Sequence, residues 1–371
     1  MSYIAAVFFC IGAVDYLMNN RLGLGEPFRE GLEAIVELLF LMTGFIALAP
    51  WLNDVVAPVI TPFFQAIGCD PSLFAGMLLS CDSGAAVLAS AMALDDAAGL
   101  FNGMIVGGFL GITIMITIPL VLENAKGTKK VAAVRGMLVG FVTLPFGCLL
   151  TGVLYGTPMS IILHNTWPVL FISILLLILF KVCGNKILVV FQGLSLVIRT
   201  IALAGFAIAA VQETIGITIL PNLTPLEEVF PVICHIGVFL AGILPFMALL
   251  RRILTRPLNA LGHALKINQA SVIGLIISMA NPIPVMLTCD RLDDKGCMLN
   301  VAFLTAACFA AGDFLAFSMQ FYAPIAIPLM VGKLITGFAS LLIALIVYNI
   351  TAKSEASETV PTVTADPAPI G

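Results

Sequence analysis

Residues 78–89 read LLSCDSGAAVLA, which places Asp82 and Gly84 inside a long apolar segment. A charged side chain within the hydrocarbon of a bilayer costs about 2.5 kcal/mol or more unless it faces a cavity or a partner. Ser83 and Gly84 can turn the chain, because glycine accepts conformations that other residues rarely adopt. The stretch therefore predicts a helix that is interrupted inside the membrane, beside an electronegative site.

The composition is that of a membrane protein. The chain has 371 residues, of which 60% are hydrophobic and 10% charged, and its mean hydropathy is +1.11. A soluble domain is about 25% charged. Apolar runs recur without alternation, which favours helices over β-barrel strands. We predict an all-α polytopic membrane protein with about nine transmembrane helices plus two re-entrant hairpins in an inverted repeat.

The apolar runs give the predicted spans and hairpins. Spans are expected at 3–18, 31–50, 98–122, 132–155, 163–180, 187–212, 229–250, 296–321 and 323–350, and hairpins at 72–94 and 270–290. With this topology 15 of the 17 basic residues fall on one side, including Arg135 near the start of the span 132–155, and the other two, Arg199 and Lys333, lie inside spans. Since cytoplasmic loops carry an excess of Lys and Arg, we expect the N-terminus outside and the C-terminus in the cytoplasm.

A weak internal repeat appears at an offset of 198 residues. This shift aligns Gly76 with Gly274 and Asn102 with Asn300. The predicted division is 1–155 for the N-terminal repeat with hairpin 72–94, 156–186 for a linking helix, 187–350 for the inverted C-terminal repeat with hairpin 270–290, and 351–371 for a disordered cytoplasmic tail. Inverted repeats of this kind are typical of secondary transporters, whose broken segments meet near the bilayer midplane.

The second predicted hairpin has its own chain break, at residues 276–284, IISMANPIP. Pro282 and Pro284 have no amide hydrogen, so the carbonyls of Ser278 and Ala280 lose their helical partners. Asn281 adds an amide. Together the two tips would offer one carboxylate, several carbonyls and some hydroxyls, which suits a small cation that carries hydrogen-bond donors.

Further acidic residues extend this candidate site. Asp313 lies in the middle of the predicted span 296–321; its structural alternative is a pair with Lys333 or Arg199. Glu30 and Glu37 are candidates for a vestibule. The full set of candidate substrate-binding residues is Asp82, Ser83, Ser80, Asn281, Ser278, Ala280 and Asp313. We expect no catalytic residues, cofactor or metal, because the nine cysteines and three histidines lack the spacing of such sites.

At these same tips the sequence resembles a known family, the ethanolamine-utilisation transporters or bacterial ethanolamine permeases. The motifs that carry the resemblance are IGAVDYLM at 11–18, PSLFAGMLLSCDSGAAVLA at 71–89, MANPIPVM at 279–286, AACFAAGDFLAF at 306–317 and PLMVGKLITG at 328–337. It extends from about residue 10 to about residue 350. Pro282 and Phe314 depart from the Asn and His that are usual in the family.

The resemblance implies a secondary transporter that imports ethanolamine by alternating access and is not an enzyme. Its expected partners are ethanolamine or a similar small amine, the lipid bilayer, and H⁺ or Na⁺ as candidate coupling ions, with no nucleic acid. The residues leave two alternatives open: an ion-coupled carrier of another small metabolite on the same scaffold and, more remotely, a membrane-embedded enzyme acting on lipid head groups. The sequence does not indicate the oligomeric state.

Overall fold

A computed structural model describes residues 2–183 and 186–358, and these ranges contain helices and loops but no strand. Within them, seven helices are long and apolar enough to cross a membrane: Gly25–Ala66, Asp96–Asn124, Lys129–Tyr155, Met159–Cys183, Val189–Ile215, Leu226–Ile253 and Ala323–Thr351. The predicted class, an all-helical polytopic membrane protein, is confirmed, while the predicted number of spans is not.

The α-helices follow one another with short connections. They are α1 (Ser2–Leu17), α2 (Gly25–Ala66), α3 (Leu73–Leu78), α4 (Ala86–Met92), α5 (Asp96–Leu100), α6 (Ile118–Asn124), α7 (Thr128–Tyr155), α8 (Met159–Cys183), α9 (Lys186–Ile215), α10 (Leu226–Leu265), α11 (Gln269–Ala280), α12 (Ile283–Leu287), α13 (Asp294–Ala307), α14 (Asp313–Phe321) and α15 (Ala323–Glu358). Wider π-helical turns at Phe101–Gly111 and Thr113–Thr117 join α5 to α6.

The core of the molecule lies around two helices. Residues 101–115 of the π-helical stretch and residues 296–307 of α13 are all buried. Glycine allows the close packing here, since a Cβ atom added to Gly111 would lie 1.9 Å from the backbone oxygen of Leu79. The side chains outside this core are apolar as well: Phe171 on α8 and Val189 on α9 are 59% and 71% exposed. Apolar surfaces of this kind are expected to face lipid.

The second helix is longer than predicted. The expected span ended at Pro50, but α2 runs for 42 residues and contains Pro50, Pro58 and Pro62. At 1.5 Å per residue it is about 60 Å long, roughly twice the thickness of the hydrocarbon layer. A proline removes a helical hydrogen bond, and this makes it a plausible place to end a helix from sequence alone. Here the helix continues through all three.

The predicted span 296–321 is interrupted. Helix α13 ends at Ala307 and α14 begins at Asp313, with the segment Cys308–Gly312 between them. The backbone N–H groups of Phe309 and Ala311 donate to the carbonyls of Ser278 and Met279, at 3.3 and 2.9 Å. The chain leaves the helix because these groups bond to α11 instead. The 16-residue α1 is shorter than the other spans, which accounts for the remaining difference in number.

The expected tail starts later than the sequence suggests. Helix α15 continues to Glu358, so residues 351–358 of the predicted disordered tail are helical. The rest of that tail, residues 359–371, lies outside the described residues.

Candidate functional site

The first interruption, which we name the first break, comprises Leu79–Gly84. Helix α3 ends at Leu78, and both Leu79 and Ser80 are extended. Gly84 has φ +111°, a region that other residues rarely occupy. A Cβ atom at this position would also lie 2.6 Å from Cβ of Phe45 on α2. Conformation and space together require glycine, so the local sequence fixes where this chain turns.

Asp82 lies within the first break and is only 8% exposed. The hydroxyl of Ser80 donates to Oδ1 of Asp82 at 2.5 Å, and that of Ser83 donates to the same oxygen at 3.1 Å. The structure thus brings together the three site residues predicted for the first tip. A carboxylate flanked by two hydroxyls can accept hydrogen bonds from an ammonium group while the hydroxyls bind a neighbouring oxygen.

Lys333 of α15 approaches the same region and is fully buried. Its ammonium group donates to the backbone oxygen of Gly108 in the π-helical stretch. It also lies 4.9 Å from the ring centre of Phe109 and 4.8 Å from that of Phe314. Asp82 is among the ionisable groups near this ammonium group. Buried lysines need such partners, and two aromatic faces with one carbonyl supply them.

Three buried thiols lie near this ammonium group. They belong to Cys81, Cys148 and Cys308, and all three are fully buried. Cys81 directly precedes Asp82, whereas Cys308 opens the interruption between α13 and α14. The environment of Lys333 therefore joins residues from both halves of the chain.

The second break comprises Asn281 and Pro282, between α11 and α12. Asn281 is extended, and its side-chain oxygen accepts the N–H of Ile283 at 2.9 Å. The hydroxyl of Ser278 donates to the carbonyl of Leu275 at 3.1 Å. In this conformation these predicted site residues bond to their own chain.

The segment Cys308–Gly312 lies against the backbone carbonyls at the end of α11, just before the second break. The Ser278 oxygen, predicted to be released by proline, accepts the N–H of Phe309. A Cβ atom at Gly312 would lie 2.2 Å from the oxygen of Ala280. The backbone oxygen of Ser278, which we predicted to be available to a substrate, is therefore hydrogen-bonded within the protein in this conformation.

Helix α14 connects the two breaks. It starts at Asp313, directly after the segment that binds α11, and it packs against Cys81–Ala85 of the first break. Asp313 is half-buried at the N-terminal end of this helix. The structure therefore brings the helix of Asp313 to the residues around Asp82, and the segment before it is bonded through the backbone to Ser278 and Met279.

Similar polar contacts join the two ends of each predicted hairpin, 72–94 and 270–290. Asp70 accepts the N–H groups of Leu94 and Asp95 at 3.0 and 3.2 Å. Asn268, which the offset of 198 aligns with Asp70, donates to the carbonyl of Arg291 at 2.8 Å. These roles were not predicted from the sequence, although the offset of 198 residues relates the two positions.

Asp293 is a further residue of this kind, at the N-terminal cap of α13. Its carboxylate accepts hydrogen bonds from the N–H of Asn268 at 3.0 Å, the hydroxyl of Ser271 at 2.7 Å and the N–H of Gly296 at 3.1 Å. Partial burial would raise the pKa of Asp293, but these hydrogen bonds outweigh it and hold the pKa below the usual range.

The remaining acidic candidates have different surroundings. Glu30 is exposed near the start of α2, and the side chain of Glu37 lies outside the described residues. Asp15 is only 1% exposed, and its carboxylate accepts the N–H groups of Leu22, Leu24 and Gly25 at 2.7–2.9 Å. Asp15 thus fixes the turn between α1 and α2, which sequence reasoning did not foresee.

Comparisons with known proteins show which family this chain resembles along nearly its whole length. A family profile described as "Ethanolamine utilisation protein, EutH" matches residues 1–347. The chain is 33% identical to "Probable ethanolamine permease EutH" of Listeria monocytogenes, over 96% of each chain. It is 32% identical to the protein of the same name in Escherichia coli, over 92% of this chain and 93% of the relative.

A relative without a functional name is equally similar. "Uncharacterized protein YxeR" of Bacillus subtilis is 32% identical over 90% of each chain. No solved structure matches the chain. The profile covers nearly the whole described chain, and the named relatives cover most of it, so the assignment does not rest on one motif. The chain belongs to the EutH family of ethanolamine utilisation proteins.

Proposed function

We propose that this protein is a secondary transporter that imports protonated ethanolamine across the cytoplasmic membrane of a bacterium. The observation that carries the proposal is Asp82, a nearly buried carboxylate held by two serine hydroxyls at a helix break, in a chain of the EutH family. Burying a carboxylate in an apolar chain is costly, which makes an intramembrane acid a functional candidate.

The chemistry of the first break matches ethanolamine. At neutral pH this substrate is a primary ammonium with three N–H donors and one hydroxyl, which both donates and accepts. Asp82 is the proposed partner of the ammonium, and Ser80 or Ser83 the partner of the hydroxyl. Two cations at the same place repel each other, so we infer that substrate and Lys333 share the negative charge of Asp82 and that Lys333 limits how tightly the substrate binds.

The second break would complete the site. Asp313 contributes negative potential from the start of α14, and Asn281, Ser278 and Ala280 lie at the end of α11. Since Asn281 and Ser278 bond to their own chain in this conformation, direct contact with substrate requires the second break to rearrange. We propose that this rearrangement is one step of alternating access.

The proposed movement would use an inverted repeat, which related contacts in the two halves of the chain support. Residues at an offset of 198 make related contacts: a Cβ atom at Gly76 would meet the backbone oxygen of Asn102, and one at Gly274 would meet the side-chain oxygen of Asn300. We infer two repeats, 1–155 and 187–350, with re-entrant hairpins that enter from opposite faces. In folds of this kind the repeats exchange conformations to expose the site to each side.

Uptake into sealed vesicles tests the proposal. Asp82→Asn keeps the size of the side chain but removes its charge, and a charge-assisted hydrogen bond is worth about 1.5–3 kcal/mol, or roughly 10- to 100-fold. We expect uptake of labelled ethanolamine to fall by at least about tenfold. Asp290→Asn is the matched control, because Asp290 is an exposed acid beyond the second break. Uptake that survives Asp82→Asn at equal protein levels would reject this site.

A second measurement separates the substrate from the mechanism. Unlabelled ethanolamine, a carboxylate of similar size and a neutral diol are each tested as competitors of labelled ethanolamine for uptake by the unmodified protein. We expect only unlabelled ethanolamine to reduce the uptake. The same vesicles, with and without sodium and with an internal pH indicator, distinguish H⁺ from Na⁺ as coupling ion. Competition by the carboxylate would favour another metabolite over an amine.

A further inference from the structure

A cavity of about 350 Å³ lies where α6, α7 and α8 meet, and no residue of either break lines it. Its apolar lining consists of Leu122, Val131, Val134 and Phe180, and its polar lining of Gly127, Lys130 and Arg135. Leu122 and Phe180 are buried, whereas Val131 is 57% exposed. The cavity therefore has an apolar inner wall and opens on the outer face of α7.

Two cations line this cavity. Lys130 is half-buried in the first turn of α7, and Arg135 is exposed one to two turns further along the same helix. Arg135 lies seven residues beyond the start of α7, which corresponds to a depth of about 10 Å along the helix. The outer surface of a membrane helix at this depth faces lipid, and a long basic side chain there can reach the head groups.

The start of α7 adds to the positive potential. Gly127 caps this 28-residue helix with φ +56°, and no atom lies within 4 Å of the position where its Cβ would be. A helix N-terminus carries partial positive charge and favours negatively charged groups. Lys130, Arg135 and the first turn of α7 thus present positive charge to one apolar cavity.

We propose that this cavity binds the head group of an anionic phospholipid. The phosphate lies between Lys130 and Arg135, and an acyl chain runs along Val131 and Val134 towards the hydrocarbon. The apolar walls favour a lipid over a free anion, because an acyl chain can bury apolar surface against them and a soluble phosphate has no such surface. The transported amine is excluded from this place by the two positive charges. Basic pockets between membrane helices are suited to such head groups.

Thermal unfolding of the detergent-purified protein tests the proposal. We expect added phosphatidylglycerol to raise the unfolding temperature by about 3–5 °C, and phosphatidylcholine or inorganic phosphate to have no effect. The double variant Lys130→Gln/Arg135→Gln should lose the rise. Lys181→Gln is the matched control and should keep it, because Lys181 is an exposed basic residue of α8 that does not line the cavity.

Three results would overturn the assignment. A rise with inorganic phosphate equal to that with phosphatidylglycerol would show a simple anion site, and an equal rise with phosphatidylcholine would show that charge is irrelevant. An unchanged rise in the double variant would place the lipid elsewhere. If the double variant does not fold, native mass spectrometry of the unmodified protein decides: retained phosphatidylglycerol in a mixture with phosphatidylcholine supports the site, and equal retention rejects it. Neither measurement depends on transport.

Discussion

The two helix breaks differ in how they satisfy their polar groups. In the first break, Asp82 brings a charge and two local hydroxyls bind it. The second break carries no charged residue, and the carbonyls of Ser278 and Met279, at the end of α11 just before it, accept the backbone N–H groups of Phe309 and Ala311. The first break therefore keeps side chains that can exchange partners, whereas the second is held by the main chain of a neighbouring segment.

This difference assigns the breaks different tasks. Side-chain hydroxyls rotate at little cost, so Asp82 can accept an incoming ammonium without a change in the backbone. The carbonyls beside the second break become available only if the segment Cys308–Gly312 moves, because its N–H groups are hydrogen-bonded to them. Buried backbone groups must stay paired, so this movement needs new partners for both sides. We expect the first break to dominate binding, and the second to dominate the conformational step. The following predictions test this division.

The largest effect is expected at Gly84, whose turn creates the first break. Gly84→Ala forces a left-handed residue, at about 1–2 kcal/mol, and a clash with Phe45, at about 1–3 kcal/mol more. We expect a large loss of folded protein, measured as yield and unfolding temperature in detergent. Gly156→Ala is the control, since Gly156 also has a positive φ but open space around it. Equal losses in both variants would show that packing against Phe45 is unimportant.

A double-mutant cycle measures whether Lys333 belongs to the first break. Asp82→Asn and Lys333→Met each remove one of two buried charges that lie in the same region, and we expect each to destabilise the protein by about 1–3 kcal/mol. The double variant should lose less than the sum, by about 1 kcal/mol or more. Thermal unfolding of the four proteins gives the coupling. Strict additivity would mean that Lys333 serves only Gly108 and the two phenylalanine rings.

Paired serine variants compare the two breaks directly. Ser80→Ala removes a hydrogen bond to Asp82, so we expect uptake of ethanolamine to fall by about fivefold, the equivalent of about 1 kcal/mol. Ser278→Ala removes only a bond to Leu275 within its own helix, and uptake should stay within about twofold. Initial uptake rates at equal protein levels provide the measurement. The reverse order would assign substrate binding to the second break.

The smallest effect is expected at Asp293, the N-terminal cap of α13, and it depends on pH. The pKa of Asp293 is lowered in the folded protein, so its contribution to stability is present above the ordinary Asp pKa and is lost as the pH falls through the lowered value. Asp293→Asn should lower the unfolding temperature slightly at pH 7, by the equivalent of about 0.5–1.5 kcal/mol, and much less below pH 3. A difference that is independent of pH would contradict this origin.

The first break was predictable because its causes are local. An aspartate, two serines and a glycine stand within five residues of an apolar run, and the structure brings them together there. Asn281 and Pro282 also marked the second break correctly, since proline cannot continue the hydrogen bonds of α11. In both cases the residues that interrupt the helix lie in the interrupted segment itself.

The interruption at Cys308–Gly312 was not predictable in the same way. Its sequence, CFAAG, is apolar and contains no proline, so it reads as part of a continuous span. The cause lies in α11, about 30 residues earlier in the sequence, whose carbonyls draw the N–H groups of Phe309 and Ala311 away from the helix. The contact of Lys333 with Gly108 likewise joins residues that only the fold brings together.

The buried thiol next to Asp82 gives the protein a chemical reporter of its own. Cys81 is fully enclosed, and alkylating reagents attack a thiol only when they can reach it. Its rate of modification therefore measures how often the first break opens to water, without any engineered label. If ethanolamine holds the break closed, it should slow this modification; if it draws the break open, it should hasten it.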